Sequence, residues 1–327
     1  MVTGGEKLIK KTRITLTILI LLVMVQSTML AKADDTKPII VCTTSAVGSI
    51  VQEYLGDSAD IVVLVQPSLC PADFDMKPSD IYAVSKAKIL FKQNIQGEFW
   101  LQGLLEAAGN TNLIQVAIPG EYNTPEGAGQ YIKWVGGNLT KILDIDLDAK
   151  KSAMLADIDE VSNWIASQAQ TLQASTVKVI CMSWLKSFIE SVGFKVVATY
   201  NPPETLSVGD IINLVDKAKS EGVALIADNL QIDVEFGKGI ASQVGAEHLI
   251  LTNFPGAIPG TGNLTQMFRY NAEKLFNATS TWRFTSALKV EMEGLNSQVT
   301  TYQITTSLAV IAAAVEAMWL YMGRRRK

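Results

Sequence analysis

The sequence is poor in the residues from which most catalytic and zinc sites are built. Among 327 residues there is one histidine, His248, and there are three cysteines, with no Cys-x-x-Cys pair. A histidine-rich zinc site is therefore excluded, and any Ser-His-Asp or Cys-His triad depends on His248 alone. His248 begins a predicted strand after a helix that ends at Gly245, a position typical of a structural residue.

Glycine-rich phosphate-binding motifs are also missing, since neither the Rossmann nor the Walker spacing occurs. Acidic pairs exist, such as Asp73 and Asp75, but proline-rich loops often carry acids only for solvation. Nothing in these residues indicates catalysis, and we expect a protein that is not an enzyme.

The charge is distributed unevenly along the chain. The net charge is −4, yet both ends are basic, so residues 34–303 are more acidic than the whole. An acidic body is a poor nucleic-acid binder. It suits a small cationic ligand, or serves only solubility.

The N-terminal segment has the order of a secretory signal. Four basic residues in the first 13 precede an apolar run at 14–30, and Ala-Lys-Ala at 31–33 offers a cleavage site. We therefore predict that residues 1–33 are a signal peptide and that the chain is exported. An uncleaved anchor is the alternative interpretation.

A second apolar stretch lies at the other end of the chain. Residues 304–323 are about long enough to cross a bilayer as a helix, and the basic tail 324–327 would then stay in the cytoplasm. Residues 278–303, which have weak periodicity, would form a stalk. Glu316 interrupts the apolar run, and an amphipathic helix packed on the protein is the alternative.

Strand and helix patterns alternate in residues 34–126. Apolar strands are predicted at 39–44, 61–65, 89–91 and 112–118, with helices between them that end at glycines such as Gly56 and Gly109. This alternation is typical of a parallel sheet covered by helices.

Residues 127–175 form a helical segment, and its second helix, 148–174, runs about 40 Å without proline or glycine. The alternation then restarts in residues 176–277, with strands at 177–182, 194–200, 223–227 and 248–251 and a helix at 264–276. The predicted fold class is therefore α/β, with two separate parallel-sheet lobes joined by one long rigid helix. Ligands of such sheets lie beyond the carboxyl ends of the strands, which favours binding between the lobes.

The chain resembles the metal-binding solute receptors of ABC importers, the zinc- and manganese-type family with two lobes joined by a long helix. The resemblance covers about residues 38–276. It rests on the order and spacing of several segments, among them IIVCTTS (39–45), LVQPSLCPADFDMKPSDI (64–81), CMSWLKSFIESVGFKVV (181–197), EGVALIADNLQ (221–231) and FRYNAEKL (268–275).

The family's metal ligands are usually three histidines and an acid, and this sequence departs from that pattern. The matching positions hold Ala72, Glu126, Met182 and Asn253, with the alignment at Glu126 loose. The resemblance therefore implies a transport role on the scaffold without the usual zinc ligands.

If a transition-metal ion binds, the candidate ligands are Cys70, Asp73, Glu126, Met182 and Asn253. A thiolate together with a thioether favours a soft ion such as Cu(I). The alternatives are that Cys70 and Met182 only fill the core, or that Cys70 forms a disulfide with Cys42. With three cysteines, at least one thiol stays free. Asn138, Asn263 and Asn277 begin glycosylation sequons.

We therefore expect a cell-surface binding component of an ABC importer, with the permease and its ATPase as partners and a metal ion or metal chelate as cargo. Two alternatives stay open: the same scaffold with an organic ligand, and a surface sensor or adhesin whose metal site has decayed.

Overall fold

A computed structural model describes residues 37–93, 95 and 97–325, without the side chain of Arg325. The predicted signal 1–33 and the last two basic residues lie outside these ranges. The described residues contain two parallel four-stranded sheets, so the prediction of two separate sheets is confirmed. The strands are β1 Ile39–Cys42, β2 Asp60–Val63, β3 Ile89–Lys92, β4 Ile114–Ala117, β5 Lys178–Met182, β6 Lys195–Tyr200, β7 Leu225–Asn229 and β8 Glu247–Leu251.

Nine α-helices connect and cover these strands within the described residues. They are α1 Ser45–Leu55, α2 Pro78–Lys86, α3 Leu101–Ala108, α4 Pro125–Leu143, α5 Asp148–Thr171, α6 Lys186–Ser191, α7 Val208–Glu221, α8 Glu235–Val244 and α9 Leu264–Arg325. The strand order is β2-β1-β3-β4 in the N-terminal lobe and β6-β5-β7-β8 in the C-terminal lobe. The two lobes therefore repeat one topology.

The N-terminal sheet is buried on both faces. Successive side chains of a strand point to opposite faces. Val41 and Leu90 accordingly pack in one apolar cluster with residues of α2 and α3. Ile40 and Phe91 belong to a second cluster, which continues into the C-terminal lobe. A four-residue strand with helices on both faces needs an almost unbroken apolar sequence, as β1 has.

The helix that joins the lobes is α5. Its buried residues recur at helical spacing: Met154, Ile158, Val161, Ile165 and Ala169. At 1.5 Å per residue, its 24 residues span about 36 Å. It packs against α4 and α9, so the hinge between the lobes is a supported helix rather than a loose linker.

The last helix differs from its sequence-based prediction. We expected a helix at 264–276 and a stalk of weak periodicity at 278–303, but α9 runs from Leu264 to Arg325 without a break. Phe268, Ala272 and Leu275 are buried in the C-terminal lobe, whereas residues 287–324 are exposed. An exposed helix has no buried face to impose an apolar period, which is why the sequence pattern is weak there.

Candidate functional site

A cleft of about 630 Å³ lies between the two lobes, at the carboxyl ends of both sheets. The N-terminal lobe contributes the loops after β2, β3 and β4, and the C-terminal lobe those after β5, β6, β7 and β8. This is the position expected for a ligand of two open parallel sheets. The volume lies within the range of small-molecule sites, roughly 300–1,000 Å³.

The base of the cleft is formed by buried amide side chains. Gln93 follows β3 and is 3% exposed, and Asn229 ends β7 and is 1% exposed. The Oδ1 atom of Asn229 accepts the backbone N–H of Gln231 at 2.9 Å. No described residue accepts a hydrogen bond from Nδ2 of Asn229 or from Nε2 of Gln93. Both lobes therefore present an unpaired buried donor at the cleft.

Gln93 is held by its neighbours in the N-terminal lobe. Its backbone N–H donates to Oγ1 of Thr43 at 3.1 Å and to Oε1 of Glu98 at 3.3 Å, and its Oε1 accepts from the Thr44 hydroxyl. Burial raises the pKa of Tyr122, and the Gln93 amide, which lies near the Tyr122 hydroxyl without a hydrogen bond of ordinary geometry to it, offsets part of that rise. Tyr122 therefore stays protonated at the base of the cleft.

Several polar contacts tie the lobes together around the base. Gln231 donates from Nε2 to the Pro67 carbonyl across the cleft at 2.8 Å and to Oγ1 of Thr252 at 2.9 Å. Asn123 donates to the Trp184 carbonyl, also across the cleft, at 2.9 Å. The Tyr122 ring stacks on Phe254 of the other lobe with 6.2 Å between centroids. These contacts join the two lobes around the base of the cleft.

The mouth of the cleft is acidic and aromatic. Asp73, Glu121 and Glu204 line it and are exposed, and Trp184 is 43% exposed. None of the lining residues that the structure describes is Lys, Arg or His. The described residues also contain no group of three or more His, Cys, Asp or Glu side chains placed to hold one metal ion.

Three of the five predicted ligand residues line the cleft: Cys70, Asp73 and Asn253, with Ala72 beside them. The Nδ2 atom of Asn253 donates to the Trp184 carbonyl at 3.4 Å. Burial raises the pKa of the Cys70 thiol, which opposes the thiolate that a soft metal would need. All three cysteines are free and buried, so no Cys42–Cys70 disulfide forms.

The other two predicted ligand residues do not line the cleft. Glu126 lies on the exposed first turn of α4, while Glu121, in the preceding loop, reaches the cleft instead. Met182 ends β5 and is 1% exposed, and its sulfur accepts the backbone N–H of Trp184 at 3.5 Å. The set expected from sequence is therefore not brought together at one point.

Sequence reasoning missed the residues at the base, namely Gln93, Asn229 and Gln231. Their signal was available, because Gln93 and Asn229 each lie two residues after a buried apolar run that predicts a strand, at 89–91 and 223–227. Amides are not typical ligands of transition metals, so a search for metal donors passes over them.

A second polar cluster lies inside the C-terminal lobe, away from the cleft. The Asp228 carboxylate, 1% exposed, accepts the Tyr200 hydroxyl and the Gly237 N–H at 3.1 Å. Nε2 of His248 lies 2.7 Å from Oδ2 of Asp228. Burial and the neighbouring carboxylate raise the pKa of Tyr200. The single histidine is thus a partner of a buried carboxylate and does not line the cleft.

Two parallel-sheet lobes, a helix that joins them and a ligand-sized cleft between them define a two-lobed solute-binding protein. A profile of the family described as periplasmic zinc-uptake complex component A (ZnuA) matches residues 40–278. Because this match covers most of the chain, the chain belongs to that family.

Individual relatives agree with this assignment. The manganese-binding lipoprotein MntA of Halalkalibacterium halodurans is 23% identical over 267 residues, which is 74% of this chain and 88% of the relative. The fold is similar to the solute-binding protein FpvC of Pseudomonas aeruginosa in complex with Mn²⁺ (TM-score 0.66, 12% identity, covering 75% and 99% of the two chains).

It is also similar to the periplasmic zinc-binding protein TroA of Treponema pallidum (TM-score 0.65, 16% identity, covering 74% and 99%). At these identities the structural likeness shows the fold alone.

Proposed function

We propose that the chain is the solute-binding component of an ABC importer and delivers cargo from the interlobe cleft to a permease driven by its ATPase. The proposal is carried by the family match over residues 40–278 together with a cleft at the carboxyl ends of both sheets. The protein acts by binding and release and has no catalytic step. It works outside the cytoplasm.

The cargo is a metal-containing solute, and a chelate fits the cleft better than a bare ion. A bare Zn²⁺ or Mn²⁺ ion needs several anionic or imidazole ligands converging within about 2.0–2.3 Å of one point. The described lining residues do not converge in that way. A chelate brings its own ligands and uses the volume of about 630 Å³.

A second candidate is an organic solute without metal, favoured by the amide side chains at the base. Loss of binding altogether, leaving a surface sensor or adhesin, is the third. The cleft does not favour this third candidate. A decayed site would be expected to close over its buried polar groups, but the buried donors of Gln93 and Asn229 lack partners.

The membrane attachment is a further part of the proposal. Leu264–Arg324 contains the single stretch among the described residues that is long and apolar enough to cross a bilayer, and that stretch is unburied. We propose that residues 304–323 are the anchor, with the basic tail inside and residues 278–303 of α9 as a stalk. The lobes would then stand outside the membrane, tethered by one helix.

The transport role is tested by uptake in cells. Deleting the gene is expected to lower the uptake of radiolabelled zinc or manganese from medium that contains natural chelators, and the restored full chain should return it. Elemental analysis of the purified full chain separates the cargo classes. Unchanged uptake of both metals, together with a metal-free protein, would contradict a metal cargo.

The anchor is tested by truncation. A chain that ends after Gln303 should appear in the soluble secreted fraction, because the apolar stretch is gone. The full chain, expressed in parallel, should stay with the membranes until detergent is added. Recovery of the truncated chain with the membranes would rule out a C-terminal anchor.

A further inference from the structure

We propose that the cleft takes a bipolar solute: a positively charged group lies at the mouth, and a neutral oxygen acceptor such as a carbonyl or hydroxyl accepts hydrogen bonds from Asn229 and Gln93 at the base. This inference rests on the proposed binding function and names the chemistry of its ligand. A cationic metal chelate and a metal-free organic cation both have this chemistry.

Asn229 presents an unpaired amide donor to the cleft. Its Oδ1 accepts a backbone N–H, that of Gln231, at 2.9 Å. A backbone N–H can only donate, so it fixes which end of the amide is oxygen and leaves the NH₂ group facing the cleft. A buried donor without a partner costs about 1–3 kcal/mol. The ligand therefore has an acceptor at this point.

Gln93 repeats the arrangement in the other lobe. β3 and β7 hold the same place in the two sheets, third in the orders β2-β1-β3-β4 and β6-β5-β7-β8. Asn229 is the last residue of β7, and Gln93 directly follows the last residue of β3. Corresponding strand ends thus aim two unpaired amide donors at one space from opposite sides. A ligand that accepts from both would bridge the lobes.

The lack of positive charge in the described lining of the cleft indicates that the ligand's hydrogen-bond acceptor is neutral. An anionic oxygen at the base would be buried without a counter-charge, since no described lining residue is cationic. A hydrated metal ion is also a poor match, because its water ligands present hydrogen atoms outward and cannot accept from amide N–H groups. A neutral oxygen acceptor satisfies both conditions.

The residues at the mouth of the cleft indicate that the other end of the solute is positively charged. Asp73, Glu121 and Glu204 are exposed carboxylates, and the part-exposed Trp184 ring lies among the same lining residues. Carboxylates and an indole face both attract a cation. The Trp184 backbone is held by Asn123 and Asn253 through its carbonyl, which keeps this residue at the mouth.

The test is calorimetric titration of the detergent-purified full chain with three probes: L-argininamide, the Zn²⁺–glycinamide chelate and Zn²⁺ alone. Wild-type protein is compared with Asn229→Asp, which keeps the acceptor for the Gln231 N–H and removes the donor. Asn296→Asp, the same change on the exposed part of α9, is the matched control. Circular dichroism shows whether Asn229→Asp folds. If it does not, Gln93→Met tests the donor of the other lobe.

We expect L-argininamide or the chelate to bind, with affinity lowered about 10-fold or more in Asn229→Asp and unchanged in Asn296→Asp. If only L-argininamide binds, the solute is a metal-free organic cation. If the chelate binds and Zn²⁺ alone does not, the solute is a metal chelate. The proposal is overturned if Zn²⁺ alone binds as well as its chelate, if Asn229→Asp and Gln93→Met bind like wild type, or if no probe binds. Uptake that still depends on the chain would in that case leave the transport role standing.

Discussion

The two lobes share one strand order but differ in what their sheets bury. In the N-terminal lobe, the central strands carry apolar residues such as Ile40, Leu90 and Phe91, all 0% exposed. In the C-terminal lobe, β7 carries Asp228, which is bonded to Tyr200, Gly237 and His248. The same topology is thus stabilised by apolar packing in one lobe and, in part, by a buried polar network in the other.

The difference matters because Asp228 directly precedes Asn229. The polar network fixes β7 just before the residue that points its amide into the cleft. In the N-terminal lobe the equivalent amide, Gln93, is fixed instead by Thr43 and Thr44, which follow the neighbouring strand β1. The C-terminal donor is therefore coupled to the interior of its lobe, whereas the N-terminal donor depends on the segment that follows β1.

The largest effect should come from removing the buried carboxylate. Asp228→Ala leaves the Tyr200 hydroxyl, the Gly237 N–H and His248 without their acceptor, and we expect a loss of about 3–5 kcal/mol in the free energy of unfolding. Urea denaturation of the full chain measures it. Asp216→Ala, at an exposed site on α7, should change stability by less than about 0.5 kcal/mol. Equal effects of the two variants would show that the polar network around Asp228 does not stabilise the C-terminal lobe.

A smaller effect should come from a pair of glycines, one in each lobe. A Cβ at Gly237 would overlap the Asp228 carboxylate, which cannot move because its partners hold it. We expect Gly237→Ala to cost about 1–3 kcal/mol in stability. At Gly48 the added Cβ meets one methyl of the Val63 side chain, which no hydrogen bond holds in place, so Gly48→Ala should cost less than Gly237→Ala. The thermal midpoints of the two variants decide this, and the reverse order would show that the Asp228 cluster is not rigid.

The smallest effects should be opposite pH dependences at the lobe surfaces. Lys217 and Lys178 lower the pKa of Glu221 from 4.5 to about 2, so its contribution to stability is present above pH 4.5 and is lost as the pH falls toward 2. Burial raises the pKa of Glu53, despite its bond from Asn263, so its destabilising effect appears only as the pH rises through the carboxyl range.

Urea midpoints at pH 3, 5 and 7 test this contrast. Glu221→Gln should be less stable than wild type at pH 7 and approach it at pH 3. Glu53→Gln should be more stable than wild type at pH 7 and lose that advantage at pH 3. A parallel pH response of the two variants would be inconsistent with the assigned pKa directions.

Much of the fold could be predicted, because local signals and buried strands agree. Ser207 caps α7 in the structure, with Asp210 completing a capping box, and Gly109 and Gly245 end their helices in the left-handed conformation. Strand boundaries moved by one or two residues. The run at 112–118, for example, became β4 Ile114–Ala117. Hydrogen bonding to neighbouring strands, not the apolar pattern, sets where a strand begins and ends.

The site was predicted only in its location. Cys70, Asp73 and Asn253 do line the cleft, since each lies in a loop at the carboxyl end of a strand. Glu126 was selected by a loose alignment across a loop, and a shift of five residues separates it from Glu121, which lines the mouth. Loop residues have no periodicity, so sequence offers no measure of which side chain turns inward.

The sequence by itself determined two α/β lobes, the helix between them and the lack of a histidine-rich metal site, because apolar period, capping residues and residue type are properties of the chain order. Only the tertiary structure decided that Gln93 and Asn229 line one cleft from opposite lobes and that His248 contacts Asp228. These pairs lie 136 and 20 residues apart. Their relative positions depend on how the two sheets and their helices pack together, which no local pattern encodes.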